Sequence, residues 1–244
     1  MRHKHPSILV VDDEPDICAN LRDILLEFGY HVDTATGGKL ALELLSQESY
    51  DVALLDLKMP GMSGLELYKE IKRRSSGTVA VMISAYASPF SIQEALEAGA
   101  WRILSKPVDP SEVMLCIDEA LEQPLVLLVD DDQDLCASLW EILRAQGMRV
   151  KLAHNVVDAN AAFASQEYQV AIVDLRLPGG DGLRLCAEVR EKYPQSRTIL
   201  ITGFRTDLEQ RTSALPLVDA TCYKPFDVEE LLATIRGIMD QPAK

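Results

Sequence analysis

The chain has 244 residues, 48% apolar and 25% charged, with a formal net charge of −14. That length suits two domains of ordinary size, each able to bury its own core. The charge is −9 over residues 1–123 (11 Lys/Arg against 20 Asp/Glu) and −5 over residues 124–244 (13 against 18), so both halves repel phosphate backbones and direct nucleic-acid binding is not expected.

Met1 to Ser7 is short, basic and polar, without the apolar stretch of a signal peptide. No apolar run approaches the roughly 18–20 residues that cross a bilayer. No membrane association is therefore expected, and the protein reads as cytoplasmic. Ile8–Val11 predicts a buried strand. Pro15–Phe28 predicts a helix with Ile17, Leu21, Ile24, Leu25 and Phe28 on one face, stopped by Gly29. Val32–Ala35 is a second strand and Leu40–Gln47 a helix. Val52–Leu55 is a third strand, Leu65–Arg73 a helix and Val79–Ile83 a fourth strand. Ser91–Ala98 is a helix ended by Gly99, Ile103–Leu104 a last strand and Pro110–Glu122 the last helix of this half. The strands are almost continuously apolar, as strands covered on both faces are. Five βα units make a doubly wound parallel α/β sheet.

The second half repeats the first at an offset of 118 residues. Val11-Asp12-Asp13 falls on Val129-Asp130-Asp131, Cys18 on Cys136, Leu21 on Leu139 and Gly29 on Gly147. Asp56-Leu57 falls on Asp174-Leu175, Pro60 on Pro178, Gly64 on Gly182, Ser84 on Thr202 and Lys106-Pro107 on Lys224-Pro225, with no gap. So long a period means a duplicated domain. The boundary is expected at Glu122-Gln123-Pro124, giving domains 1–123 and 124–244. The last helix of the first runs almost straight into the strand Leu125–Val129, so a fairly fixed mutual orientation is expected.

The recurring polar residues leave the carboxyl ends of the predicted strands, where open α/β sheets place their sites. Asp12, Asp13 and Asp56 in one crevice stay ionised together only if a cation offsets them. All-oxygen ligands favour Mg²⁺ over zinc. Lys106 adds a positive charge and Ser84 a hydroxyl donor. An aspartate in those surroundings is suited to accept a phosphoryl group. Asp130, Asp131, Asp174, Thr202 and Lys224 repeat the set. An Asp pair before a helix also reads as an N-cap, and Asp before Pro-Gly as a turn residue; the joint recurrence favours the site. The five cysteines form no C-x-x-C pair and read as reduced, with Cys18 and Cys136 as core side chains. His3, His5, His31 and His154 do not recur and are given no role. Trp101 and Trp140 read as packing residues, and Lys72-Arg73-Arg74 as a solvated helix end.

Val-Asp-Asp, Asp-Leu-x-x-Pro-Gly, Ser/Thr-Ala/Gly and Lys-Pro, in this order and twice, resemble the receiver domains of two-component response regulators. The resemblance implies two flavodoxin-like (βα)5 domains with strand order 2-1-3-4-5. It implies phosphoacceptors at Asp56 and Asp174. It implies Mg²⁺ on Asp13 and Asp131, with Asp12 and Asp130 beside it and the backbone carbonyls of Lys58 and Arg176 completing the ligands. Lys106 and Lys224 would pair with phosphoryl oxygens, and Ser84 and Thr202 would move toward them. The donor would be the phosphohistidine of a histidine kinase or a phosphotransfer domain. A homodimer, or packing of one receiver on the other, is left open.

The sequence also departs from that family. Receivers commonly carry Tyr or Phe three residues before the lysine, where this chain has Ile103 and Thr221. Pro216-Leu217-Val218 stands opposite Ala98-Gly99-Ala100, which should shorten or displace the fourth helix of the second half and alter its output face. Tyr86 and Phe204, two residues past the hydroxyls, should hinder attacking water and slow self-dephosphorylation. Two other functions compete. One is an aspartate-nucleophile phosphatase, suggested by Asp130-Asp131-Asp132; the other is an interaction scaffold with a silent site. No glycine- or Ser/Thr-rich phosphate loop follows the first strand, which argues against a flavin module. No helix-turn-helix, cyclase or kinase segment follows residue 240, so the chain either ends in receivers or is the regulatory front of a longer protein such as a hybrid kinase.

Overall fold

A computed structural model of the protein describes residues 6–74, 77–85, 89–203 and 218–240. The chain divides into two compact units between Gln123 and Pro124. The first holds β1 (Ser7–Val11), α1 (Pro15–Glu27), β2 (His31–Ala35), α2 (Gly38–Leu45), β3 (Val52–Asp56), α3 (Gly64–Arg74), β4 (Val79–Ser84), α4 (Pro89–Glu97), β5 (Arg102–Ser105) and α5 (Pro110–Glu122). Its five strands pair in parallel in the order β2-β1-β3-β4-β5.

The second unit holds β6 (Leu125–Val129), α6 (Gln133–Ala145), β7 (Arg149–Ala153), α7 (Val156–Ser165), β8 (Val170–Asp174), β9 (Arg176–Leu177), β10 (Gly180–Asp181), α8 (Gly182–Lys192), β11 (Arg197–Thr202), β12 (Ala220–Tyr223) and α9 (Val228–Met239). Its main sheet has the equivalent order β7-β6-β8-β11-β12, again all parallel. The expected altered fourth helix, and Tyr86 and Phe204, lie outside the described residues. Among the described residues no helix is long and apolar enough to cross a membrane.

Alternation along each strand feeds two cores. Leu9 and Val11 join Ala41, Leu67 and Ile71 on one face of the first sheet. Ile8 and Val10 join Leu21, Leu25, Cys116 and Ile117 on the other. In the second unit, Leu127 and Val129 go to the face with Phe163 and Leu185, and Val126 and Leu128 to the face with Leu139 and Ile235. Gly29 does end α1: at φ 85° it lets Gly29 N–H reach Leu26 O (3.0 Å) and Tyr30 N–H reach Leu25 O (3.2 Å).

The amino ends of the two sheets are closed in matching ways. Thr78 Oγ1 donates to Tyr50 O at 2.7 Å, and Ser196 Oγ to Tyr168 O at 2.6 Å. Ser7 N–H donates to Asp51 Oδ2 at 3.0 Å, and Leu125 N–H to Gln169 Oε1 at 2.7 Å.

One feature was not expected from the sequence. The loop after β8 pairs with itself as a two-stranded antiparallel ribbon, Gly180 opposite Leu177 and Asp181 opposite Arg176. Pro178-Gly179 makes the turn, with Gly179 at φ 81°.

Candidate functional site

In the first domain Asp12 leaves β1 and does two jobs. Its Oδ1 accepts from Glu14 N–H at 3.0 Å, turning the chain into α1, and its Oδ2 meets Lys106 Nζ at 2.7 Å. Lys106, just past β5, also lies 3.3 Å from Asp56 Oδ2 at the end of β3, and 3.8 Å from Glu14 Oε1. Asp12 and Asp56 are 1% and 6% exposed, whereas Asp13 faces solvent. One carboxylate oxygen from each of Asp12, Asp13 and Asp56 lies within 4.8 Å of the others. The N-cap position of α1 belongs to Glu14, which makes no side-chain cap bond, so Asp12 does not cap the helix: its Oδ1 turns the chain ahead of Glu14 and its Oδ2 faces Lys106.

The second domain repeats the frame with shorter bonds. Lys224 Nζ donates to Asp130 Oδ2 at 2.6 Å and to Asp174 Oδ1 at 2.7 Å. Asp130 Oδ1 accepts from Asp132 N–H at 2.9 Å, and Asp174 Oδ2 from Arg176 N–H at 2.7 Å. The matching contact in the first domain, Lys58 N–H to Asp56 Oδ1, is 3.4 Å. Asp131 and the side chain of Arg176 are exposed, as is Lys58. Asp132 caps α6, accepting from Asp134 N–H and Leu135 N–H at 3.1 and 3.0 Å.

Charge is crowded in both pockets. Burial pushes the Asp56 carboxyl above its usual range; Lys106 draws it back and Asp12 adds to the rise. Burial likewise raises Asp130 despite its bond to Lys224. For Lys106 and Lys224 burial acts to lower the value, but the bonds to Asp12 and Asp56, and to Asp130 and Asp174, leave it raised overall. Two buried carboxylates share one ammonium in each pocket, an excess of negative charge that favours a further cation.

Two glycines lie against the strand ends that carry Asp56 and Asp174. A side chain on Gly64 would run into the backbone carbonyl of Asp56, and one on Gly182 into that of Asp174. Only glycine lets the loop fold back so tightly, with Gly64 N–H bonded to Leu57 O and Gly182 N–H to Leu175 O (3.1 and 3.0 Å). Ser84 and Thr202 end β4 and β11, each 1% exposed. Their carbonyls accept from Lys106 N–H at 2.9 Å and Lys224 N–H at 2.7 Å, which sets the lysines beside the strand ends. Both Lys-Pro peptides are cis.

Ile103 packs against the core on the α2–α3 face. In the second domain Tyr223, two residues past Thr221 and on the same face of β12, packs against the equivalent core. The cysteines expected as core residues have a second task. Cys18 Sγ donates to Asp12 O and Cys136 Sγ to Asp130 O, both at 3.4 Å, steadying the acidic turn from below. His154, given no role from the sequence, is half-buried with Nδ1 3.0 Å from Asp130 O. Its counterpart is Thr36, so recurrence offered no signal for it.

Comparison with known proteins places this arrangement. The family pattern described as the response regulator receiver domain matches residues 8–118 and 126–236. A response regulator receiver protein from Anaeromyxobacter sp. (strain Fw109-5) is 33% identical over 232 residues, 94% of each chain. The transcriptional regulatory protein GlrR of Escherichia coli (strain K12) is 36% identical over 123 residues, which are 50% of this chain and 28% of that protein. A solved CheY-like receiver domain protein from Methanospirillum hungatei JF-1 is 33% identical, covers 49% of this chain and 95% of its own, and has a TM-score of 0.48. The chain belongs to the response regulator receiver family as two receiver domains in tandem, the phosphoacceptor modules of two-component signal transduction.

Proposed function

We propose that Asp56 and Asp174 are the phosphoacceptors, loaded from the phosphohistidine of a histidine kinase or a histidine phosphotransfer protein, with output through protein–protein contact. One observation carries this reading: in each domain a lysine bridges a buried acid after the first strand and a buried acid after the third. Asp132 is occupied as a helix cap, which removes the second acid that a phosphatase reading of Asp130-Asp131-Asp132 would need.

Mg²⁺ fits the first pocket, where three carboxylates converge with oxygen donors alone and the buried pair carries excess negative charge. Asp12, Asp13, Asp56 and the Lys58 carbonyl would hold it. In the second pocket the holders would be Asp130, Asp131, Asp174 and the Arg176 carbonyl. When bound, the ion supplies positive charge against the oxygens of the transferring group.

The chain's own residues do the rest. A carboxylate oxygen of Asp56 forms the new P–O bond as the donor's P–N bond breaks, and the departing imidazole takes a proton from water. Lys106 is held by Asp12 at 2.7 Å and only loosely by Asp56 at 3.3 Å, so it turns to the phosphoryl oxygens without losing its anchor. The hydroxyls of Ser84 and Thr202 supply one further donor each. The protein is thus a self-loading acceptor with no turnover of a separate substrate.

The test is incubation with acetyl phosphate and Mg²⁺, read by intact mass on the wild type, Asp56→Asn, Asp174→Asn and the double variant. Each single variant is expected to lose one phosphoryl group and the double variant all of them. A double variant that is still phosphorylated, or a folded wild type that never is, overturns the reading.

A further inference from the structure

The two pockets share a residue set but differ in how much of it is already in use. In the second domain all four oxygens of the two buried acids have a donor from the chain at 2.9 Å or less. Asp130 is bonded to Asp132 N–H and Lys224, and Asp174 to Lys224 and Arg176 N–H. In the first domain the contacts of Asp56 among the described residues are longer, 3.3 Å to Lys106 and 3.4 Å to Lys58 N–H. Charge-assisted bonds weaken quickly beyond about 3 Å.

The outer acids differ too. Asp13 brings an oxygen within 4.8 Å of both Asp12 and Asp56; among the described residues Asp131 does not do so with Asp130 and Asp174. Asp131 instead lines an open groove of about 400 Å³ with Arg176, Pro178 and Asp181 along the β9–β10 ribbon. That ribbon also carries Arg176, whose N–H holds Asp174.

We infer that the two receivers are unequal in metal readiness. The first takes a divalent cation as it stands, whereas in the second Lys224 occupies the place of the cation and has to be displaced from Asp130 and Asp174. This rests on the metal-dependent reading above and adds an order to it: as the divalent cation becomes scarce, the first domain stays competent while the second falls silent. Lys224 is then the residue that sets the threshold of the second site. The ribbon supports it by clamping Asp174 from the other side. The first domain lacks that ribbon: its loop has Met62 where the second has Gly180, and Met62 N–H bonds Pro60 O instead.

The experiment is a binding isotherm with Mn²⁺, an oxygen-seeking stand-in for Mg²⁺. Free ion is counted by electron paramagnetic resonance on the full chain with no phosphodonor present. Two sites are expected, with affinities at least about tenfold apart. Asp56→Asn should abolish the tighter site and Asp174→Asn the weaker. Lys224→Met should strengthen the weaker site by about tenfold or more and leave the tighter one within twofold, circular dichroism reporting that both domains stay folded. Equal affinities, or loss of the tighter site in Asp174→Asn, overturn the inequality while the phosphoacceptor reading stands. Absence of Mn²⁺ at both pockets overturns the inequality together with the metal half of the proposed function. Phosphorylation by acetyl phosphate tests the acceptor half separately.

Discussion

Gly38 at the start of α2 lies directly against the side chain of Met62, so close that a β-carbon on Gly38 would sit 2.6 Å from Met62 Sδ. At the same two places the second domain has Val156 and Gly180, and a β-carbon on Gly180 would sit 2.9 Å from Val156 Cγ2. The large and the small residue have changed sides. Gly38→Val alone is therefore expected to destabilise the first domain by about 1–3 kcal/mol through overpacking. Adding Met62→Gly should recover part of that loss, with a coupling of about 1 kcal/mol. Urea unfolding followed by Trp101 emission in a Trp140→Phe background measures the cycle. Strict additivity would mean that the two residues do not share the space.

Gly64→Ala and Gly182→Ala should be more damaging than their chemistry suggests. The added carbon meets a backbone carbonyl, which cannot rotate away as a side chain can. A loss of more than about 2 kcal/mol is expected in the affected domain. Gly61→Ala is the control. At φ 81° with open space around it, Gly61 would suffer only the strain of a left-handed backbone, about 1 kcal/mol. Thermal unfolding of the three variants should rank them in that order.

Asp56→Asn should stabilise the metal-free protein at neutral pH. Burial raises the folded-state value of Asp56 above that of the unfolded chain, with Lys106 opposing and Asp12 reinforcing. The folded state holds the proton more tightly, so this group's contribution is fully present below the ordinary carboxylate range and is lost as pH rises through the raised value. At pH 7 the buried carboxylate is a burden. Its replacement should raise the melting temperature of the first domain by about 4 °C, on the order of 1 kcal/mol. Melting curves from pH 3 to 8 should show the gain shrinking toward acid. A variant less stable than wild type at pH 7 would show that the Lys106 contact outweighs the burial.

The far end of each sheet offers a test that leaves the acids untouched. Thr78→Val and Ser196→Ala each remove a buried donor to a tyrosine carbonyl. Each should cost about 1 kcal/mol in its own domain. Phosphorylation by acetyl phosphate should be unchanged at 10 °C, well below unfolding.

Much of this was legible in the sequence because the chain contains its own comparison. Apolar strands and glycine stops gave the sheet, and recurrence at 118 residues singled out Asp12, Asp56, Lys106 and their partners. What recurrence hides is substitution that preserves a job. Thr78 and Ser196 differ in name but bond the same carbonyl, and Asp51 and Gln169 differ in charge but hold the same strand. It hides compensation as well: Gly38 against Val156, and Met62 against Gly180, look like two unrelated changes until they are placed together. The β9–β10 ribbon comes with a few small changes around Pro-Gly, Gly180 for Met62 and Asp181 for Ser63 among them, too small a signal to read as a strand pair. His154 stands opposite Thr36, so the repeat did not mark it. In each case the missing information was which residues meet in space.

All five cysteine thiols are outside any disulfide and buried. Burial also makes each thiol a weaker acid, Cys136 and Cys186 up to about 12 and Cys18, Cys116 and Cys222 in the same direction. An alkylating reagent therefore finds neither access nor thiolate until the surrounding element comes apart. Cys18 and Cys116 keep time for one half of the molecule, and Cys136, Cys186 and Cys222 for the other. Peptide mapping of timed alkylation would record which half opens first, with no foreign label introduced.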